Sequence, residues 1–273
     1  MAEASMGVDA ADFDEDGDED LFMTHLRQET NTLYINDGQG WFEDRTVAMG
    51  LANPSFAYTG FGTAWFDYDN DGWLDLLAVN GAVRKIQALS EAGDPYPLHQ
   101  PNQLFRNLGD GHYREVTAQA GRAFAVSLVS RGAAFGDLDE DGDTDVIIAN
   151  NAGAARVLVN QVGSSSRWLG LRLLTTDGGR DAYGARIVLD GEQTLWRRSR
   201  ADGSYASSND PRVLFGLGES AEKTVSVRIF WPDGTEERRT DLATGRYHTL
   251  RQGHADQGAG NPVPYLESNQ QHQ

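Results

Sequence analysis

Apolar residues come along this chain in short bursts, and three of the bursts begin in the same way. LFMT follows Asp20, LLAV follows Asp75 and VIIA follows Asp145. Each is short and aliphatic, or closed by a β-branched residue, and each starts abruptly, which predicts a buried strand. Alternating segments such as TLYI from Thr32 come next, and then asparagine turns: NDGQGWF from 36, NLGDGHY from 107 and NQVGSSS from 160. In the first two an aromatic and a threonine four residues on follow the glycines (Phe42 and Thr46, Tyr113 and Thr117), so hairpins are predicted. From about 163 the alternation continues in WLGLRLL, ARIVL, VLFGLG and VSVRIFW, with turns at 210–212 (DPR) and 231–234 (WPDG). No segment there has a helical period longer than two turns, and an all-β chain is expected.

What precedes each burst is a nine-residue acidic loop: DFDEDGDED, DYDNDGWLD and DLDEDGDTD. Aspartate recurs at positions 1, 3, 5 and 9 and glycine at position 6: Asp12, Asp14, Asp16, Gly17, Asp20; Asp67, Asp69, Asp71, Gly72, Asp75; Asp137, Asp139, Asp141, Gly142, Asp145. Two like charges ~4 Å apart repel by about 4 kcal/mol near a protein surface, so a folded loop of this kind needs a cation. Alternating carboxylates with a glycine at the sharp turn are the donor set of a calcium loop, and magnesium, which demands stricter octahedral geometry, fits less well. An EF-hand would carry glutamate at position 12, where Met23, Ala78 and Ile148 stand, so the loops are expected at strand starts and not between helices. Position 7 varies (Asp18, Trp73, Asp143), which fits a main-chain carbonyl ligand. A solvated acidic surface is the alternative for any one copy, and it weakens with three in register.

Charge and composition narrow the field. The 273 residues carry a formal charge of −18, which argues against nucleic acid as a partner. Seven, four and six of the 41 acidic residues lie in the three loops, so three Ca²⁺ ions would cancel six of the eighteen net charges. There is no cysteine, so neither a disulfide nor a zinc thiolate site is available. No apolar run approaches the ~18 residues of a membrane span, and the first residues lack the charged and apolar regions of an export signal, so neither is expected in this chain.

The repeat extends beyond the loop. A glycine stands five residues before each (Gly7, Gly62, Gly132), and the loops recur at spacings of 55 and 70 residues. Loop, strand, partner strand, turn and return strand make a unit the size of a propeller blade. The run GxxxxDxDxDGxxD with LFRNLGDGHYREVT resembles the FG-GAP/VCBS calcium repeat of integrin-like β-propellers. GGRDAYGARIVL, GSYASSNDPRVLFGLG and VRIFWPDGT resemble the ASPIC/UnbV domain. Together, over roughly residues 7–252, they are similar to the cartilage acidic protein family and its bacterial relatives. That resemblance implies an extracellular or cell-surface location, calcium held by the twelve aspartates at positions 1, 3, 5 and 9, and about three ions. It sets the expected architecture: a partial β-propeller of three calcium-loop blades over 1–162, a smaller β-sandwich-like domain over 163–252, and a disordered tail over 253–273.

Three further features bear on function. The insertion RKIQALSEAGDPYPLHQPNQ at 84–103 offers His99, Gln100 and Asn102 as a possible ligand rim, or as a polar crossover packed on a neighbouring blade. Arg197, Arg198 and Arg200 form a basic cluster, read either as an exposed strand or as a contact with the acidic propeller or an anionic sugar. No GxSxG, HExxH, Walker or strand-to-helix GxGxxG motif is present and the six histidines are scattered, so no catalytic residues are assigned. The leading expectation is a calcium-binding, non-enzymatic extracellular adhesion or interaction module with a protein or glycan ligand. The alternatives are a lyase or dehydratase on a sugar or natural-product intermediate, and a self-assembling structural subunit. Three blades cannot close a ring, and the first loop shows no strand before it in this reading. Self-association through the open propeller edge, around Gly7 to Met23, is therefore expected, with the second domain covering one side only.

Overall fold

A computed structural model describes residues 3–176, 179–191, 194–220 and 222–254. The all-β expectation holds: the described residues form five sheets, with two short helices at Ala52–Ser55 and Gln87–Glu91. The expected tail from 255 onward lies outside the described residues.

The first sheet is an antiparallel meander of β1 (Ser5–Ala11), β2 (Asp20–His25), β3 (Thr32–Asn36) and β4 (Phe42–Asp44). β5 (Gly60–Phe66), β6 (Asp75–Asn80), β7 (Gln103–Asn107) and β8 (Tyr113–Glu115) repeat it. β9 (Ser130–Gly136), β10 (Asp145–Asn150) and β11 (Arg156–Leu158) form a third, three-stranded version that lacks the last strand. This corrects the unit expected from sequence. Each acidic loop is the connection of a hairpin whose first strand precedes it, and the first loop has such a strand in β1. The inner strands were illegible because they are small and mixed, as in SMGVDAA, without a clean alternation.

The glycines before each loop explain that composition. β1, β5 and β9 stand side by side. A Cβ on Gly7 would collide with the Phe61 carbonyl, and one on Gly62 would sit 2.8 Å from Ala133 N and 2.9 Å from Arg131 O. Backbone meets backbone at these positions, which only glycine permits. Large side chains fill the space farther out. Phe13, Phe22, Leu33, Trp65, Leu76 and Phe105 make the core between the first two sheets, and Phe61, Phe66, Leu77, Phe135, Val146 and Ile148 the core between the second and third. β6 is buried along its whole length because both faces are covered, Leu76 looking one way and Leu77 the other.

The C-terminal residues form two sheets around one core. β12 (Arg167–Leu174) lies between β15 (Val213–Gly218), antiparallel, and β18 (Tyr247–Arg251), parallel. Facing them, β13 (Arg186–Asp190) pairs with β14 (Leu195–Arg198) and with β16 (Thr224–Phe230), which pairs with β17 (Glu236–Ala243). Leu169, Leu171, Ile187, Phe215, Val227 and Ile229 are fully buried between the two layers, a sandwich core.

The segment between β14 and β15 leaves this sandwich and enters the gap between β9 and β1. Val8 N donates to Ser204 Oγ at 3.0 Å and Arg200 pairs with Asp9 at 2.6 Å on the β1 side. On the β9 side Phe135 N donates to Asn209 Oδ1 at 3.1 Å and Asp210 N donates to the Phe135 carbonyl at 2.9 Å. The domain therefore covers both sides of the gap, where sequence suggested one. A single connected segment can reach both because Arg200 and Asp210 flank a compact turn in which Tyr205 and Ala206 take left-handed backbone angles. Tyr205 also lies edge-on to Phe61 at 4.8 Å.

Candidate metal centres

The three acidic loops share one backbone path. Position 6 is glycine at φ 103°, 99° and 93° (Gly17, Gly72, Gly142), a conformation that residues with a Cβ rarely adopt. Position 4 is also left-handed, at Glu15, Asn70 and Glu140 with φ of 65°, 55° and 60°. Non-glycine residues held there cost of order 1 kcal/mol each, and the repetition marks a path imposed three times for one purpose.

Carboxylates hold that path. The first aspartate accepts backbone N–H groups from across the loop: Asp12 from Asp16 and Gly17 at 3.1 Å each, Asp67 from Asp71 and Gly72 at 3.0 and 2.8 Å, Asp137 from Gly142 at 2.9 Å. The fifth accepts from the seventh residue, as Asp16 from Asp18, Asp71 from Trp73 and Asp141 from Asp143. The ninth aspartate accepts the N–H of the turn asparagine of its own sheet: Asp20 from Asn36, Asp75 from Asn107 and Asp145 from Asn160, at 2.8 to 2.9 Å. The asparagine turn and the acidic loop, two separate repeats in the sequence, are thus one structure.

Oxygens from three carboxylates of each loop lie within 4.8 Å of one another: Asp12, Asp14 and Asp20; Asp67, Asp69 and Asp71; Asp137, Asp139 and Asp145. Of the twelve expected ligand aspartates, Asp16, Asp75 and Asp141 stand outside these groups. The donor set is all oxygen, which suits a hard cation. Buried oxygens without any hydrogen-bond donor occur in every loop, among them Asp14 Oδ1, Asp20 Oδ2, Asp69 Oδ1 and Asp137 Oδ1. Calcium fits these residues, since a cation supplies the partner that such oxygens lack.

The electrostatics agree. Burial, with the Asp14 and Asp16 charges adding to it, pushes Asp20 up to about 8 against the hydrogen bond from Asn36. Burial and then Asp71 push Asp67 to about 7, burial lifts Asp12 to about 6, and burial with Asp67 raises Asp75 well above the carboxylate range. A bound cation would oppose each rise by favouring the charged form.

The loops also join the sheets to each other and to the sandwich. Asn107 donates from its amide to the Phe13 carbonyl of the first loop, Asn160 to the Tyr68 carbonyl of the second, and Asn70 to the Gly142 and Gly163 carbonyls. Of the position 7 residues, Asp143 is fully buried and accepts from Ser164 N in the link to the sandwich. Gly216 lies so close to Asp67 and Asn70 that a side chain there would overlap both, and Gly142 packs in the same way against the Trp168 ring. Tyr247 donates to Asp137 Oδ2 at 2.8 Å, and Arg212 to the Asp137 carbonyl at 2.7 Å. None of Arg212, Asn70 and Tyr247 was singled out from sequence, because each stands alone in its own segment.

The arginine cluster takes the second of its two readings. Arg200 pairs with buried Asp9, Arg198 with Glu19 at 3.2 Å, and Arg197 donates to the Gly72 carbonyl at 3.0 Å. The three residues expected as a rim are engaged within the fold: buried Gln100 accepts from Thr59 N and donates to Ala57 O, Asn102 accepts from Asn80 N, and His99 stacks on Tyr96 at 4.6 Å. Gln100 and Leu128 are bridged backbone to backbone, the crossover reading of that insertion.

Residues 12–78 match the FG-GAP-like repeat family model, and residues 175–257 the model for ASPIC and UnbV. Human cartilage acidic protein 1 is 27% identical over 256 residues, covering 89% of this chain and 35% of that protein. The mouse protein of the same name is 28% identical over 237 residues, covering 84% and 34%. The chain spans about a third of the length of the curated relatives it matches. Among solved structures, one described by specific recognition of non-reducing terminal N-acetylglucosamine by an Agrocybe aegerita lectin aligns at TM-score 0.33 and 14% identity, over 88% of this chain and 67% of that one; so loose a likeness carries no argument. The first two acidic loops and most of the sandwich match their own family models, in the order expected, and over most of its length the chain is similar to cartilage acidic protein 1.

Proposed function

We propose that this chain is a calcium-stabilised interaction module of β-propeller type that works outside the cell by binding a protein or a glycan, and not by catalysis. The observation that carries the reading is the set of buried, donorless carboxylate oxygens in loops that also form the joints of the molecule. Calcium at millimolar extracellular concentration suits sites of modest affinity. The three sheets, with β1, β5 and β9 innermost, are read as blades, and the 200–210 segment as filling the sector that a further blade would occupy. The carboxylates that burial pushes to about 6 or higher, Asp12, Asp20, Asp67 and Asp143, all lie in the loops, where a cation site accounts for their being gathered, so they do not call for an acid and base pair. The similarity to cartilage acidic protein 1 supports the extracellular setting.

The test is binding to arrays of extracellular-matrix proteins and of glycans by the calcium-loaded protein, with a chelator-treated sample beside it. Retention of one ligand class in calcium and its loss in chelator is expected. Turnover of an arrayed glycan, or binding unchanged by chelation, would overturn the reading.

A further inference from the structure

The three loops are alike in sequence but not in surroundings. In β7 the residue before the turn asparagine is Arg106, and its guanidinium Nη2 lies 2.9 Å from both Asp69 Oδ2 and Asp71 Oδ2. The corresponding residues before Asn36 and Asn160 are Ile35 and Val159, which bring no charge. Among the described residues no lysine or arginine pairs with Asp12, Asp14 or Asp20, nor with the carboxylates of Asp137, Asp139 or Asp145.

Each loop keeps a donorless oxygen in its carboxylate group, and what differs is whether a cationic side chain already sits on the carboxylate that bears it. Asp20 is 0% exposed and its Oδ2 has no partner, and Asp137 is 3% exposed and its Oδ1 has none. Each belongs to the carboxylate group of its loop. In the second loop Asp67 accepts from Asp71 and Gly72 N–H and Asp75 from Tyr68 and Asn107 N–H, as Asp12 and Asp145 accept two N–H groups each in theirs. Asp69 Oδ1 is donorless, but the other oxygen of that carboxylate is already on Arg106.

We propose that only the first and third loops take a metal ion and that in the second the half-exposed Arg106 guanidinium stands in its place as the neutralising cation. The inference rests on the calcium reading above and changes its stoichiometry from three ions to two. A guanidinium bridging two carboxylates neutralises the site with charge-assisted hydrogen bonds. An incoming ion would have to displace it from both carboxylates and turn it out to solvent, at the cost of those two charge-assisted bonds. The middle sheet, covered on both faces and joined to the sandwich through Asp67, Asn70 and Gly72, is thereby held whatever the calcium concentration.

The experiment is a count of bound calcium on the whole chain, by equilibrium dialysis and by native mass spectrometry. Two ions are expected for the unaltered protein, one for Asp14→Asn or Asp139→Asn, and still two for Asp69→Asn. Arg106→Ile, which copies the first sheet, should raise the count to three. Three ions on the unaltered protein, or loss of one in Asp69→Asn, would overturn the inference and leave the calcium reading intact. No bound ion would overturn the calcium reading itself. Should Arg106→Ile fail to fold, the unaltered count and Asp69→Asn still decide.

Discussion

At the scale of the residue, the acidic loops are strained objects whose strain has a purpose. Gly17 at φ 103° has open space where a Cβ would go, so Gly17→Ala tests the backbone alone. A cost of about 1–3 kcal/mol is expected, seen as a lower denaturation midpoint; an unchanged midpoint would mean that the loop relaxes freely. Protonation gives a second test. Folding raises Asp20 to about 8 and Asp67 to about 7 from a carboxylate's usual value near 4, so without metal the folded state binds more protons than the unfolded one. The stability of chelated protein should therefore rise as pH falls from above 8 towards 5. With calcium present the sign reverses at Asp20, because an ion in the first loop needs its carboxylates deprotonated. Melting midpoints across that range, with and without calcium, should converge at the acid end; parallel curves would contradict the assignment. The spacing of aspartates and glycine was legible in the sequence because the repeated turn, with carboxylates gathered on it, demands those residues at fixed intervals. Tyr247 and Arg212 were not, because residues far away in the chain meet the loops one at a time.

At the scale of the element, sequence revealed the second strand of each hairpin and hid the first. DLLAVN reads as a buried strand through its aliphatic run, whereas SMGVDAA and SRGAAFG are small because three inner strands must approach within backbone contact. The β-sandwich was visible in its alternation, and its docking was visible only as the arginine cluster, one of whose two readings was this contact. The asparagine turns were legible as turns but not as clasps. Asn107 is buried, and its amide reaches Phe13 O and Leu74 O while its Oδ1 accepts from Gly109 N. Asn107→Ala leaves those groups unpaired and should cost about 1–3 kcal/mol, read from the urea midpoint. A loss confined to the second sheet by hydrogen exchange, with the first loop untouched, would show that the clasp between neighbours carries no load.

At the scale of the molecule, three sheets and a sandwich close on one another through charged and polar contacts. Asp9 is buried and its partner is Arg200, so Arg200→Ala leaves a lone buried carboxylate and should cost about 3–5 kcal/mol at neutral pH. The same change loosens the segment that covers β1. Sedimentation should then show concentration-dependent association in the variant and none in the unaltered protein, and association in the unaltered protein would mean that the gap between β9 and β1 is still open to a second copy. The central claim is that calcium is part of the fold. At a concentration 100 times the dissociation constant each ion adds about 2.7 kcal/mol, so two add about 5, against a typical net stability of about 5–15 kcal/mol. Thermal unfolding in millimolar calcium and in excess chelator tests this most directly: a much higher midpoint with calcium, in a single transition that includes the sandwich, is the predicted result, and equal midpoints would contradict the account.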